Sequence, residues 1–235
     1  MTAAELSKLY EDLNAPNPTA FRKALARKGI KATAKDVEDF VRSKSERQVV
    51  APGPKYDGNI VSFDKDHKWQ ADLIAFTSRP AVRKKETFTH VLVVEDVFTR
   101  FLWAKPLQST SDTADAFREI LQESGRKPKR CDTDGGGEFV DHRFKAVMED
   151  FKIDHNRKRK DDLNAIASVD AAISQIKKAI KRRRESSGGS WLDHLDAAVK
   201  GHNSNVHSAT DAPPERYGQR CAVLGAGGSS RGAGR

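Results

Sequence analysis

Near the start of the chain, apolar positions recur at helical spacing in three short stretches. Leu6, Leu9, Tyr10 and Leu13 fall on one face. Asn17-Pro18 opens a second stretch carrying Phe21 and Leu25, and Gly29 ends it. Thr33 is placed as the N-cap of a third, with Val37, Phe40 and Val41 together on one side. The pattern predicts a small helical N-terminal domain over 1–47. Residues 48–64, with Pro52, Gly53, Pro54 and Gly58, read as a linker. The period then changes. Strands are predicted over 68–76, 90–95 and 99–104, and the nearly all-apolar run VLVVEDV suits a strand covered on both faces. A helix over 111–123 turns Ala114, Phe117 and Leu121 inward. A short strand over 129–131 leads into Gly135-Gly136-Gly137, then a helix over 139–151 and a candidate fifth strand over 152–155. Ile166, Val169, Ile173, Ile176 and Ile180 form the buried stripe of a long helix over 163–184, which Ser187-Gly188-Gly189 breaks before a last helix over 191–202. Residues 219–235 are rich in Gly and Ser and are expected to be a disordered tail. Three strands before the first helix argue against simple βαβ alternation. They imply an α/β core over 65–218, with a mixed five-stranded sheet flanked by helices.

Charge narrows the partners. The chain carries 42 Lys and Arg against 33 Asp and Glu, a net +9, which favours nucleic acid over small molecules. No apolar run approaches the ~20 residues of a membrane-spanning helix, so no membrane partner is expected. The opening MTAAELSKLYEDL lacks a secretory pattern, and with only Cys131 and Cys221 there is no disulfide framework and no four-cysteine zinc site. The expectation is an intracellular protein, nuclear or cytoplasmic, not secreted and without zinc. Between positions 152 and 184 lie 11 Lys/Arg and 4 Asp, a net of +7. Arg157, Lys158, Arg159 and Lys160 precede the long helix; Lys177 and Lys181 fall within about 20° of Asp170 on its wheel. These six are candidate DNA contacts. The plainer alternatives are a solvated basic face, or a nuclear-import signal in KRRR at 181–184. The three N-terminal helices read either as a DNA-binding module or simply as a bundle.

Three acids stand out. Asp72 sits inside the first strand, where a carboxylate is costly unless paired or holding a cation. Asp134 follows the fourth strand in DTDGGGEF, a strand end running into glycines. Asp170 flanks the apolar stripe of the long helix. Carboxylates so placed can meet at one sheet edge and suit magnesium or manganese. Asp134 could instead serve the turn and Asp170 could be a solvated helix residue; Asp132 and Glu138 compete as ligands. Asp96 reads as a turn acid, and Trp69, Trp103 and Trp191 as core aromatics.

The set resembles the catalytic core of retroviral and retrotransposon-type integrases, in the ribonuclease-H-like superfamily that includes DDE and DDD transposases. WQADLIAF is similar to their first catalytic strand, and DTDGGGEF to their Thr-Asp-Asn-Gly-x-Glu-Phe motif, with Gly135 in the place of Asn. Sixty-one residues separate Asp72 from Asp134, and 35 separate Asp134 from Asp170, as in the DD(35)E signature. VVEDVFTRFLWAKPL resembles the second and third strands, and HNSNVHSATDAPPERY the segment after the last core helix. The pattern departs in three ways. The third acid is Asp170 rather than Glu, ~1.5 Å shorter in reach. Asn164 stands six residues before it, where the retroviral Asn stands four before. The His-His-Cys-Cys zinc module and an SH3-like or chromodomain module are missing, so the chain is expected to be either truncated or a domesticated element.

The resemblance implies transfer of a DNA 3′-hydroxyl onto a target phosphodiester. Two magnesium (or manganese) ions held by Asp72, Asp134 and Asp170 would assist, with element ends and target DNA as partners and a homo-oligomer as the working form. The alternative is a domesticated, non-catalytic nucleic-acid-binding scaffold. A ribonuclease H or junction nuclease is a third possibility.

Overall fold

The computed structural model describes residues 3–44, 62–158, 166–208 and 210–216. Three helices come first: α1 (Ala3–Asp12), α2 (Pro18–Arg27) and α3 (Ala34–Ser43). Asn17 caps α2 by accepting from the Ala20 amide, and Thr33 and Asp36 form a reciprocal capping box on α3, as the sequence predicts. The helices close on a small core of their own, in which Tyr10, Phe21 and Phe40 meet with ring centroids 5.1–5.6 Å apart.

The larger part carries β1 (Lys68–Ala75), β2 (Ala81–Arg83), β3 (Glu86–Phe88), β4 (His90–Asp96) and β5 (Leu102–Leu107). These lead into a 3-10 turn (Thr110–Asp112), α4 (Thr113–Ser124), β6 (Arg130–Thr133), α5 (Gly137–Val140), α6 (His142–Asp150) and β7 (Asp154–Arg157). The last elements are α7 (Ala167–Ser187) and α8 (Trp191–Ser204). Five strands form one mixed sheet in the order β5-β4-β1-β6-β7, with β1 antiparallel to β4 and parallel to β6. Strand alternation divides the core. Trp69, Ala71, Leu92 and Val94 face α4 and α6; Ile74, Val91 and Val93 face α7 and α8. The result is the ribonuclease-H-like α/β architecture, helices on both sides of a mixed sheet.

Several elements differ from the pattern-based reading. The third strand begins at Leu102, not 99, because Asp96 accepts from the Phe98 amide and the Thr99 hydroxyl and draws 97–100 into a tight turn. The helix predicted over 139–151 breaks at Asp141, whose extended backbone and carboxylate cap α6 through the Arg143 amide. The fifth strand sits two residues later than expected, over Asp154–Arg157. The β2–β3 hairpin carried no sequence signal: its turn residues Lys84 and Lys85 adopt positive φ (50° and 70°) without the Gly or Asn that usually marks such a turn. Residues 45–61, 159–165 and 217–235 lie outside the described residues. With them go most of the linker, the tail, Arg159, Lys160, Asn164 and the predicted start of the long helix.

Candidate active site

The sheet register places the first two acids side by side. β1 and β6 run parallel with Ala71 opposite Thr133, so Asp72 and Asp134 follow at the next position on neighbouring strands, whose spacing is about 4.8 Å. Asp72 lies in the face covered by α7, directly across β4 from Val93. Asp134 has just left β6, and its Oδ1 accepts from the Gly136 amide at 2.9 Å. α7 packs on β1 and β4 and brings Asp170 in its first turn to the same edge.

Electrostatics report the proximity. Burial pushes the Asp72 carboxyl up to about 6, and Asp134, Asp170 and Glu138 push in the same direction, while the Leu73 amide partly opposes them. Asp170 is also raised, by partial desolvation and by Asp134; Lys158 and Lys177 pull it back down. The three predicted acids therefore share one field, and a fourth carboxylate joins them. Glu138 folds back over Gly136. A Cβ at Gly136 would lie 2.7 Å from Glu138 Oε1 and 3.0 Å from Asp134 Oδ1, so glycine leaves the room in which these carboxylates approach. Asp132 takes no part: it is buried against Arg130 at 2.5 Å and Lys68 at 3.9 Å. Asp96 is likewise structural, paired with Arg126, which stacks over Trp103.

Among the described residues, no three acid, histidine or cysteine side chains are gathered into a closed metal-ligand group. The acids act on one another across an open gap. Their donor set nonetheless fits a hard divalent cation: every atom offered is a carboxylate oxygen, and the repulsion that lifts Asp72 is of the kind a cation relieves.

The predicted cations divide. Lys158 and Lys177 act on Asp170. Arg157 ends β7, exposed. Lys181 is 3.8 Å from Glu185. Within KRRR, two arginines serve the fold: Arg182 donates to the Asn14 carbonyl, and Arg183 to the Glu11 carbonyl at 2.8 Å.

Residues 64–162 match the model of the integrase core domain family, which ends eight residues before Asp170. The fold is similar to the HTLV-2 integrase catalytic core domain solved in complex with magnesium (TM-score 0.51, 18% identity, covering 65% of this chain and 95% of that one). It is also similar to a chain of the simian T-cell lymphotropic virus intasome in complex with PP2A regulatory subunit B56 gamma (TM-score 0.59, 16% identity, 84% and 70% covered). No curated protein matches. The chain thus has the fold of these integrase cores, and residues 64–162 are similar to the integrase core domain family.

Proposed function

We propose that this protein is a metal-dependent polynucleotidyl transferase that joins the 3′-hydroxyl of an element's DNA end to a target phosphodiester. One observation carries the reading: Asp72 on β1 and Asp134 just past β6 each follow the last paired position of the two strands, Ala71 and Thr133, and Asp170 on α7 shares their field. When bound, a pair of magnesium or manganese ions supplies Lewis-acid activation of the attacking hydroxyl and stabilises the leaving oxygen. Asp72, Asp134 and Asp170 would hold the pair, with Glu138 beside them. Burial and the neighbouring carboxylates disfavour the Asp72 anion, and a bound cation would favour it. Lys158 and Lys177, beside Asp170, would hold the DNA phosphates next to the acids, and Arg157, Arg159, Lys160 and Lys181 would extend that track. Joining two ends to one target requires at least two such sites, hence a homo-oligomer on DNA. Such a protein works intracellularly, where the target DNA is.

The domesticated-scaffold reading has one observation in its favour: among the described residues, no three acid, histidine or cysteine side chains gather into a metal-ligand group. Strand transfer on duplexes bearing the element's terminal sequence separates the two. The wild type should join ends with magnesium or manganese, and Asp72→Asn should fall to background while circular dichroism and DNA binding stay unchanged. The substitution removes ligand charge and keeps volume. A wild type inactive with both metals on matched ends would leave the scaffold.

A further inference from the structure

Among the described residues, none of α7's own sequence caps its start through a side chain. Ile166 holds the N-cap position and offers no side-chain acceptor, so the first amides of the helix need partners from elsewhere. They come from the sheet. Gln70 Oε1 accepts from the Val169 amide at 3.1 Å, and Glu95 Oε2 accepts from the Ser168 hydroxyl at 2.5 Å. Gln70 and Glu95 lie directly opposite each other across the β1–β4 register. Both are almost wholly buried, at 0% and 2% exposed. Arg100, held at positive φ in the β4–β5 turn, donates to the same Ser168 hydroxyl and closes the network. Gln70 is two residues from Asp72 on the same strand face, and the tethered residues Ser168 and Val169 immediately precede Asp170. The network therefore spans the gap between the first and third acids.

We propose that Gln70 and Glu95 are positioning residues: Gln70 caps α7 from the sheet, Glu95 tethers the Ser168 hydroxyl beside that cap, and together they fix Asp170 against Asp72 for divalent-cation binding. This rests on the reading of the three acids given above. The physical reason is the register of a helix on a strand. Among the described residues the first turn of α7 has no local side-chain cap to resist fraying, and Asp170 lies in that turn. A carboxylate on a fraying turn cannot hold a ligand position. A tertiary cap removes the freedom at the one point where the cation needs it.

Two measurements test this on the full chain, with manganese as the probe. Hydrogen exchange reads the cap directly: Gln70→Met, which keeps length and removes the acceptor, should expose the Val169 amide. Manganese titration followed by the electron paramagnetic resonance of free ion reads the consequence. Affinity per folded molecule should fall about tenfold in Gln70→Met and in Ser168→Ala, the usual scale for an outer-shell partner. Glu95→Gln, which retains an acceptor for Ser168, should stay near wild type. Leu121→Ala, a core truncation on the opposite face of the sheet, controls for general loosening and should leave manganese affinity unchanged. An unaltered Val169 amide in Gln70→Met overturns the cap. If Asp170→Asn weakens manganese binding and Gln70→Met does not, only the positioning role falls. If Asp170→Asn itself changes nothing, the reading of the acids fails and takes this inference with it.

Discussion

At the scale of single residues, the third acid is the sharpest departure from the integrase pattern. Asp170 stands in the first turn of α7, where the family has the longer Glu. Its neighbours are set for it: Lys158 and Lys177 pull its carboxyl down while Asp134 pushes it up, so the short side chain already reaches the shared field. Asp170→Glu should then carry the carboxylate ~1.5 Å too far, and a misplacement of that size costs on the order of 100-fold in rate. Strand-transfer rates with magnesium and with the more tolerant manganese check this; a gain with magnesium would mark the helix as spaced for Glu and favour a scaffold descended from a Glu enzyme. Glu138 shows how little a residue list decides. The sequence makes it one of several acids near Asp134; only the fold-back over Gly136 separates it from Asp132, whose carboxylate is spent on Arg130.

At the scale of elements, α8 is pinned to the sheet by side chains with no catalytic part. Asn203 exchanges two hydrogen bonds with the Leu102 backbone, and His202 Nε2 lies 3.1 Å from the Arg100 carbonyl. His207 Nε2 meets the His202 carbonyl at 2.9 Å, with the two rings 4.3 Å apart. Burial, with His207 and Arg100 nearby, lowers His202 to about 3. A histidine held neutral in the fold stabilises it fully above its unfolded pKa near 6.5, and that contribution is lost as pH falls towards the folded value. The unfolding free-energy difference between wild type and His202→Gln should therefore shrink by about 1.4 kcal/mol per pH unit between pH 6 and 4. Urea denaturation at stepped pH measures it. A difference constant with pH would mean that His202 titrates normally in the folded chain.

At the scale of the whole molecule, the N-terminal helices are not a loose appendage. Arg182 and Arg183 cover carbonyls at the end of α1, Asn14 Nδ2 donates to the Ala198 carbonyl at 2.8 Å, and Arg27 reaches the Asp211 carbonyl at 2.9 Å. Gly201 lets α8 approach the end of α1 so closely that any Cβ there would strike the Asp12 carbonyl. Cations that could have served DNA are used to hold the small bundle on the core. The proposed joining of two DNA ends to one target requires two sets of acids, hence two chains. Light scattering should show a dimer or larger species once two end duplexes are bound. A monomer both free and with paired ends would speak against joining.

The sequence by itself determined what depends on local pattern and spacing. Helix caps at Asn17 and Thr33, the apolar stripe of α7 and the strand alternation around Asp72 follow from short-range chemistry, so they are legible without a fold. The spacing of Asp72, Asp134 and Asp170 pointed to the family because the same topology demands similar loop lengths. Tertiary structure alone decided the rest. It set Asp72 and Asp134 at one register step, because parallel pairing of β1 and β6 joins residues far apart in the chain. It set Arg182 and Arg183, read in the sequence as part of a solvated basic face or an import signal, on carbonyls at and just past the end of α1, and formed the β2–β3 hairpin through two lysines at positive φ. It also capped α7 from Gln70 and tied Ser168 to Glu95, partnerships across about 70 to 100 residues that no local pattern encodes.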